Sequence, residues 1–392
     1  MKPIHLSPQD QKELVELRRD FHQHPELQYE EKRTAKVVEE KLKEFGFSDI
    51  QTGIAKTGVV TVLKGKKDRT ILLRADMDGL PIEELNKVSY CSKNKGVMHA
   101  CGHDAHVASL LMVAKHLQKE NPDGNIKFVF QPAEEGGEGG RIMVEEGVLK
   151  NPKVEATFGL HVWGALPVGK VGVTTGPIMA AVDKFEIKIK GKGGHGAVPE
   201  STIDSIVTAS AVIQSLQTIV SRNTNPLDSA VVTVGKISGG TSFNIIAEET
   251  ILIGTARTLS QEMWKKIPEL IERTIRGVTL AHGATYEFKY HRSAPVTIND
   301  EKMTDFVAEV SAKVVGKENV VRTERTMGGE DFSFILREIP GCFFFVGSKN
   351  EKKGILGIHH SPYFDIDEDC LPIGVEIMKK IAKEYFSYFP AS

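Results

Sequence analysis

At 392 residues, with 40% apolar and 26% charged side chains, the chain exceeds the size at which one hydrophobic core keeps growing, so two domains are expected. Its 50 basic residues against 52 acidic ones leave a formal charge of −2, which excludes a general electrostatic pull toward nucleic acid or an anionic membrane. The four cysteines (Cys91, Cys101, Cys342, Cys370) are too scattered for a disulfide framework, and no run approaches the roughly 20 apolar residues that cross a bilayer.

The first residues, Met1-Lys2-Pro3-Ile4-His5-Leu6-Ser7-Pro8, hold no apolar core of signal-peptide length. A soluble, cytoplasmic protein is expected. Ser7-Pro8 opens a helix pair over 8–45, with Leu14, Leu17 and Phe21 at helical spacing and His24-Pro25-Glu26 as the break. Short β-branched runs follow at 58–63 and 70–74, then a buried helix at 104–117 and a strand at 126–130. Strands alternating with helices predict an α/β layer structure: a mostly parallel sheet with helices on both faces.

Near residue 180 the texture changes. Residues 183–190 alternate strictly, the mark of a strand with one wet face. A helix at 203–221, strands at 230–234 and 249–255, a helix at 260–281 and a strand at 284–290 follow, the β-α-β-β-α-β order of a ferredoxin-like α+β unit. Because α/β texture resumes after Pro295, the expected layout is a discontinuous catalytic domain, 1–181 and 292–392, interrupted by a small inserted domain, 182–291.

The octet His99-Ala-Cys101-Gly-His103-Asp104-Ala-His106 concentrates metal-competent side chains, and Gly102 lets the chain bend so that its neighbours converge. Cys101 and His103 are favoured as ligands, with His99 and His106 packed or supporting and Asp104 or a neighbour capping the helix that follows. A metal-binding thiol must stay reduced, which again fits the cytoplasm. The thiolate also donates charge and lowers the Lewis acidity of the metal it binds. Asp76 and Asp78 end an apolar strand two residues apart, so both reach one side of it. Glu134-Glu135 sits between a strand and Gly136-Gly137; one carboxylate suits a metal and the other the proton of an attacking water. Taken alone, His161 in an apolar run reads as a satisfied core histidine more often than as a ligand, whereas the pair His359-His360 reads equally well either way.

Gly191-Lys-Gly193-Gly-His195-Gly196 has dinucleotide-fingerprint spacing, but Pro199 stands where the phosphate-binding helix should run. The segment reads instead as a flexible loop presenting His195. There is no P-loop and no Gly-x-Ser-x-Gly elbow.

The strings RADMDGLP, HACGHDAH, FQPAEEGGEGG, GLHVW, GKGGHGAVP, SRNTNPLDSAVVTVG, FNIIAE, GTARTL and HSP, in this order over nearly the whole chain, resemble one family. It is the metal-dependent N-acyl-amino-acid amidohydrolases of the hippurate hydrolase, auxin-conjugate hydrolase and N-acetyldiaminopimelate deacetylase group, within the aminoacylase and carboxypeptidase superfamily. The resemblance implies an aminopeptidase-like α/β catalytic domain with a ferredoxin-like lid that commonly dimerises. It implies a two-metal site held by Cys101, His103, Glu135, His161 and His360; the mixed sulfur, nitrogen and oxygen donors suit Zn, Mn, Co or Ni and leave the native ion open. Glu134 is implied as general base, and His195 as the donor to the carbonyl oxygen, often in the partner subunit's site. Asn244 and Arg257 are implied as substrate contacts. Asp76 and Asp78 depart from the superfamily's usual His-x-Asp ligand motif and are taken as carboxylates that orient ligands and support catalysis. The expected function is hydrolysis of small N-acyl amino acids, with a dipeptidase or aminopeptidase on the same site, or a non-catalytic metal-binding scaffold, as alternatives.

Overall fold

The computed structural model describes residues 6–390. Two compact units divide the chain. The first comprises the described residues of Met1–Gly176, Ile298–Glu324 and Asp331–Ser392; the second is Pro177–Thr297 with Arg325–Glu330. The insertion therefore starts and ends a few residues outside the expected 182–291 and takes in a short later segment as well.

In the first unit, continuous apolar runs make strands buried on both faces. Ile71 and Leu73 of the strand Lys67–Asp76 join one core, and Leu72 between them joins another. Phe128 and Phe130 against Val129 repeat this split in Gly124–Gln131. Alternate side chains of a strand point to opposite faces, so each face needs its own cover. One face is covered by the helices Pro8–Gln23, His103–Leu117, Glu301–Val315 and Leu371–Tyr388, and the other by Met143 from the short helix Gly139–Glu145. Helix Pro8–Gln23 starts where the sequence indicates: Pro8 occupies the first turn and the Ser7 hydroxyl accepts the Asp10 N–H at 3.1 Å.

The sheet has eight strands in the order Ile50–Ile54, Gly58–Leu63, Gly124–Gln131, Lys67–Asp76, Val154–Pro167, Gly341–Lys349, Val171–Val173 and Val320–Arg322. Its four central strands, from Gly124–Gln131 to Gly341–Lys349, run parallel, and antiparallel pairs lie toward both sides.

The second unit is a four-stranded antiparallel sheet, ordered Ala230–Gly239, Glu249–Thr258, Ala181–Lys190, Thr285–Ala294, with helices Ser205–Thr218 and Gln261–Ala281. Phe185, Ile187 and Ile189 alternate inward and pack with Ile267, Ile271 and Ile275, which recur every helical turn. The ferredoxin-like order read from the sequence is the one observed. The helix expected at 203–221 is shorter because Asp204 accepts the Ile206 and Val207 N–H groups, setting its start at Ser205, and a wider turn at Ile219–Asn223 replaces its end. No helix among the described residues is long and apolar enough to cross a membrane.

Candidate metal centre

The candidate side chains of the first unit collect at the carboxyl ends of parallel strands, the edge at which open α/β sheets bind ligands. Asp76 closes Lys67–Asp76, Glu134 and Glu135 follow Gly124–Gln131, and His359 and His360 follow Gly341–Lys349. His161 is not at a strand end. Its strand continues to Pro167, because that stretch still pairs with Lys349.

Cys101 and His103 flank Gly102, whose φ of +94° is a left-handed turn; a Cβ there would stand 2.3 Å from Val162 Cγ2. His103 thereby opens the helix His103–Leu117 with its ring in the site. Asp104 caps nothing, contrary to the sequence reading. It is buried and its Oδ2 accepts from Arg18 Nε and His22 Nδ1, both at 2.8 Å. Burial raises the Asp104 carboxyl, but Arg18 and His22 outweigh it and hold it far below the usual range.

Ligand atoms of Cys101, His103 and His161 all lie within 4.8 Å of one another, and so do those of Cys101, Glu135 and His360. A third such group joins His103, Glu134 and Glu135. Shared members link the groups into one cluster. His161 Nδ1 donates to the Val162 carbonyl at 2.6 Å, so Nε2 keeps its lone pair facing Cys101. His360 Nε2 stands 3.1 Å from Glu135 Oε1, and Glu134 Oε2 stands 3.9 Å from His103 Nε2.

The supporting carboxylates are separately employed. Asp78 accepts the backbone N–H groups of Glu134 at 3.0 Å and Glu135 at 2.9 Å, one on each oxygen, and thus sets the loop that carries both glutamates. Asp76 pairs with His106 Nδ1 at 2.5 Å, and His106 Nε2 accepts the Val162 N–H at 2.9 Å. Both ring nitrogens of His106 are therefore committed, which leaves it a brace for Asp76 and Val162. Burial raises the Asp76 carboxyl, yet Arg74, His103 and His106 keep it well below the usual range. His99 is buried with no hydrogen-bond partner among the described residues, and burial lowers its imidazole to about 4.

A divalent cation fits this donor set. Both ring nitrogens of His103 are buried and make no well-formed hydrogen bond among the described residues, with Asp78 Oδ1 3.3 Å from Nδ1 and Asp76 Oδ2 3.7 Å from Nε2, an arrangement that polar groups rarely adopt unless another partner is meant. The Cys101 thiol is pushed well above its usual range by burial and by Glu135, Glu134 and Asp76, so a thiolate there requires positive charge. A mixed sulfur, nitrogen and oxygen set suits borderline ions such as Zn²⁺, Mn²⁺, Co²⁺ or Ni²⁺.

Sequence reasoning misses the brace behind the site. Buried Arg74 donates to Gln131 Oε1 at 2.9 Å, Asp76 Oδ2 at 2.6 Å and Asp331 Oδ1 at 3.2 Å, and the Asp331 N–H approaches Glu134 Oε1 at 3.4 Å. The one available signal is an arginine inside the apolar strand Thr70-Ile-Leu-Leu-Arg-Ala-Asp.

The remaining candidates belong to the second unit. His195 is not on a free loop: Gly194–His195 pairs as a two-residue ladder with Ile245–Ile246, which ties it beside Asn244. The Ala197 N–H donates to His195 Nδ1 at 3.0 Å, leaving a proton on the exposed Nε2 of the neutral ring. Asn244 Oδ1 accepts from the Ser242 hydroxyl at 2.9 Å, and half-buried Arg257 donates to Thr255 Oγ1 at 3.2 Å.

Known proteins share this sequence and architecture. The family model described as Peptidase family M20/M25/M40 matches residues 72–384. The IAA-amino acid hydrolase ILR1-like 4 of Arabidopsis thaliana is 43% identical over 97% of this chain and 87% of its own. An N-acetyl-L-cysteine deacetylase of Bacillus subtilis is 42% identical over 94% of this chain and 87% of its own. Among solved structures, a dinuclear metal-binding peptidase of the M20 family from Bacillus subtilis is 35% identical with a TM-score of 0.83, covering 97% of this chain and 99% of that one.

Proposed function

The chain belongs to peptidase family M20/M25/M40, and on that footing we propose that it is a metal-dependent amidohydrolase cleaving small N-acyl amino acids to a carboxylic acid and a free amino acid. The observation that carries this reading is the clustering of Cys101, His103, Glu135, His161 and His360 with Glu134 alongside. These five side chains are assigned to hold two divalent ions, and the names of the two relatives supply the substrate class.

When bound, such ions supply Lewis acidity toward the scissile carbonyl and ease deprotonation of water. Glu134 takes the water's proton on its carboxylate and returns it to the leaving nitrogen, a role commonly worth about 10²–10⁴ in rate. Asp78 keeps Glu134 and Glu135 in register through their backbone amides, and Asp76 steadies His103 and His106. His195 donates its Nε2 proton to the carbonyl oxygen as negative charge develops there, which for one donor is typically about 10²–10³ in rate. Arg257 and Asn244 take the substrate's carboxylate end.

We place the enzyme in the cytoplasm, where Cys101 stays reduced, and as a homodimer formed through the second unit. In that unit Ala230–Gly239 is an outermost strand, and Ile206, Val207 and Ile237 are exposed. The decisive experiment assays metal-free protein reloaded with Zn²⁺, Mn²⁺, Co²⁺ or Ni²⁺ against acetyl-, benzoyl- and indoleacetyl-amino acids beside dipeptides. Release of amino acid from the acylated substrates is expected, and a preference for dipeptides would overturn the substrate class.

A further inference from the structure

His359 is used by none of the steps above, yet its ring reaches the cluster. Its Nδ1 lies 3.8 Å from Cys101 Sγ, and its Nε2 accepts the Gly164 N–H at 3.2 Å. A backbone N–H only donates, so Nε2 holds the lone pair and the proton of the neutral ring resides on Nδ1. That tautomer cannot ligate a metal through either nitrogen without breaking a bond it already makes. It turns a donor toward the sulfur.

The surroundings hold the ring in this pose. Trp163 and Phe364 lie against it with centroids 4.9 Å and 5.0 Å away and planes tilted by 33° and 37°. Gly164 can bring its N–H to Nε2 because its backbone touches that of Gly357; a Cβ on Gly164 would fall 1.6 Å from the Gly357 oxygen.

We propose that His359 is a positioning residue of the metal centre: it donates its Nδ1 proton to the Cys101 sulfur and so restrains the charge this thiolate gives to a metal. The inference rests on the metal assignment made above. Hydrogen bonds to a ligating sulfur draw electron density from it and tune the metal's electronics. His359 thus offsets the loss of Lewis acidity that a thiolate ligand brings, while fixing the sulfur's orientation. The Cys101 backbone is the competing hydrogen-bond partner of the His359 ring, and the experiment separates the two.

The test uses the full-length protein loaded with Co²⁺, whose sulfur-to-metal charge-transfer absorption reports the donor strength of the thiolate. His359→Phe keeps an aromatic ring between Trp163 and Phe364 and removes the donor; His359→Gln restores an N–H. The absorption is expected to move to longer wavelength in His359→Phe and to return toward the wild-type position in His359→Gln. An unmoved band in a folded Phe variant assigns the proton to the Cys101 backbone and overturns the proposal. Loss of bound cobalt per chain overturns it as well, since it would make His359 a ligand. No charge-transfer band in the wild type would sink the Cys101 assignment and this inference together, whereas a band that fails to respond sinks this inference alone. A measurement free of any variant uses ¹⁵N-histidine in the zinc-loaded wild type: Nδ1 protonated and Nε2 bare is expected, and the reverse contradicts the proposal.

Discussion

Nε2 of His161 stands 3.5 Å from the sulfur of Cys101, with its other nitrogen anchored on the Val162 carbonyl. A lone pair thus faces a thiol that burial and nearby carboxylates keep protonated. Burial lowers the neighbouring His103, but Asp76 and Asp78 outweigh it and carry it up to about 10, so it too holds an extra proton at neutral pH. Ligands must shed such protons to bind a metal. Metal uptake near pH 7 is expected to release about two protons per chain, and affinity to fall steeply as pH drops. Calorimetric titrations in buffers of different ionisation enthalpy count them. Cys101→Ser should release one fewer, and release of none would contradict the ligand set.

Gly102 tests whether the bend between Cys101 and His103 matters. Gly102→Ala places an L side chain at φ +94°, a conformation costing about 1–2 kcal/mol, and drives its Cβ into Val162. Lower stability and weaker metal binding are expected. In a Val162→Ala background the steric part of that cost should vanish while the backbone part persists, a coupling that a double-mutant cycle of urea denaturations resolves.

Arg74 tests the brace. Arg74→Met removes the guanidinium from Asp76 and Asp331 while leaving both carboxylates buried. Breaking a buried pair from one side typically costs about 3–5 kcal/mol. Denaturant melts should show a loss of that order, with Arg74→Lys recovering only part of it, because a lysine cannot reach Gln131, Asp76 and Asp331 together.

Glu31 gives the pH dependence a sign. Burial raises its carboxyl from 4.5 to about 7, although the Thr57 hydroxyl and the Ala133 N–H donate to it. Across that window the folded protein keeps a proton that the unfolded chain releases. The folded state therefore binds more protons, and its stability falls as pH rises from 4.5 to about 7. In metal-free protein, Glu31→Gln should flatten this part of the Tm-against-pH curve. An identical slope in both proteins would remove Glu31 as its source.

How far the sequence speaks differs from residue to residue. Cys101 and His103 are legible because ligand-type side chains crowd a glycine turn before a helix, and the second unit is legible because period-two and period-3.6 patterns follow one another cleanly. Asp104 misleads because an acidic residue at a helix start ordinarily caps it, whereas here Arg18, 86 positions upstream, claims the carboxylate. Arg74 stays silent because its partners Gln131 and Asp331 lie 57 and 257 positions away. Nor does local sequence separate the two adjacent histidines near the C-terminus. His360 takes a φ of +61° and meets Glu135, while His359 meets Gly164 and Cys101, and only the packed strands determine that division.

The most direct measurement pairs metal content with turnover in Glu134→Gln. The substitution keeps the side chain's shape and removes its capacity to accept a proton from water. Wild type and variant should both hold two divalent ions per chain, with hydrolysis of an N-acyl amino acid reduced by about 10²–10⁴ in the variant. Comparable turnover in the variant would contradict Glu134 as the base, and fewer than two ions in the wild type would contradict the centre itself.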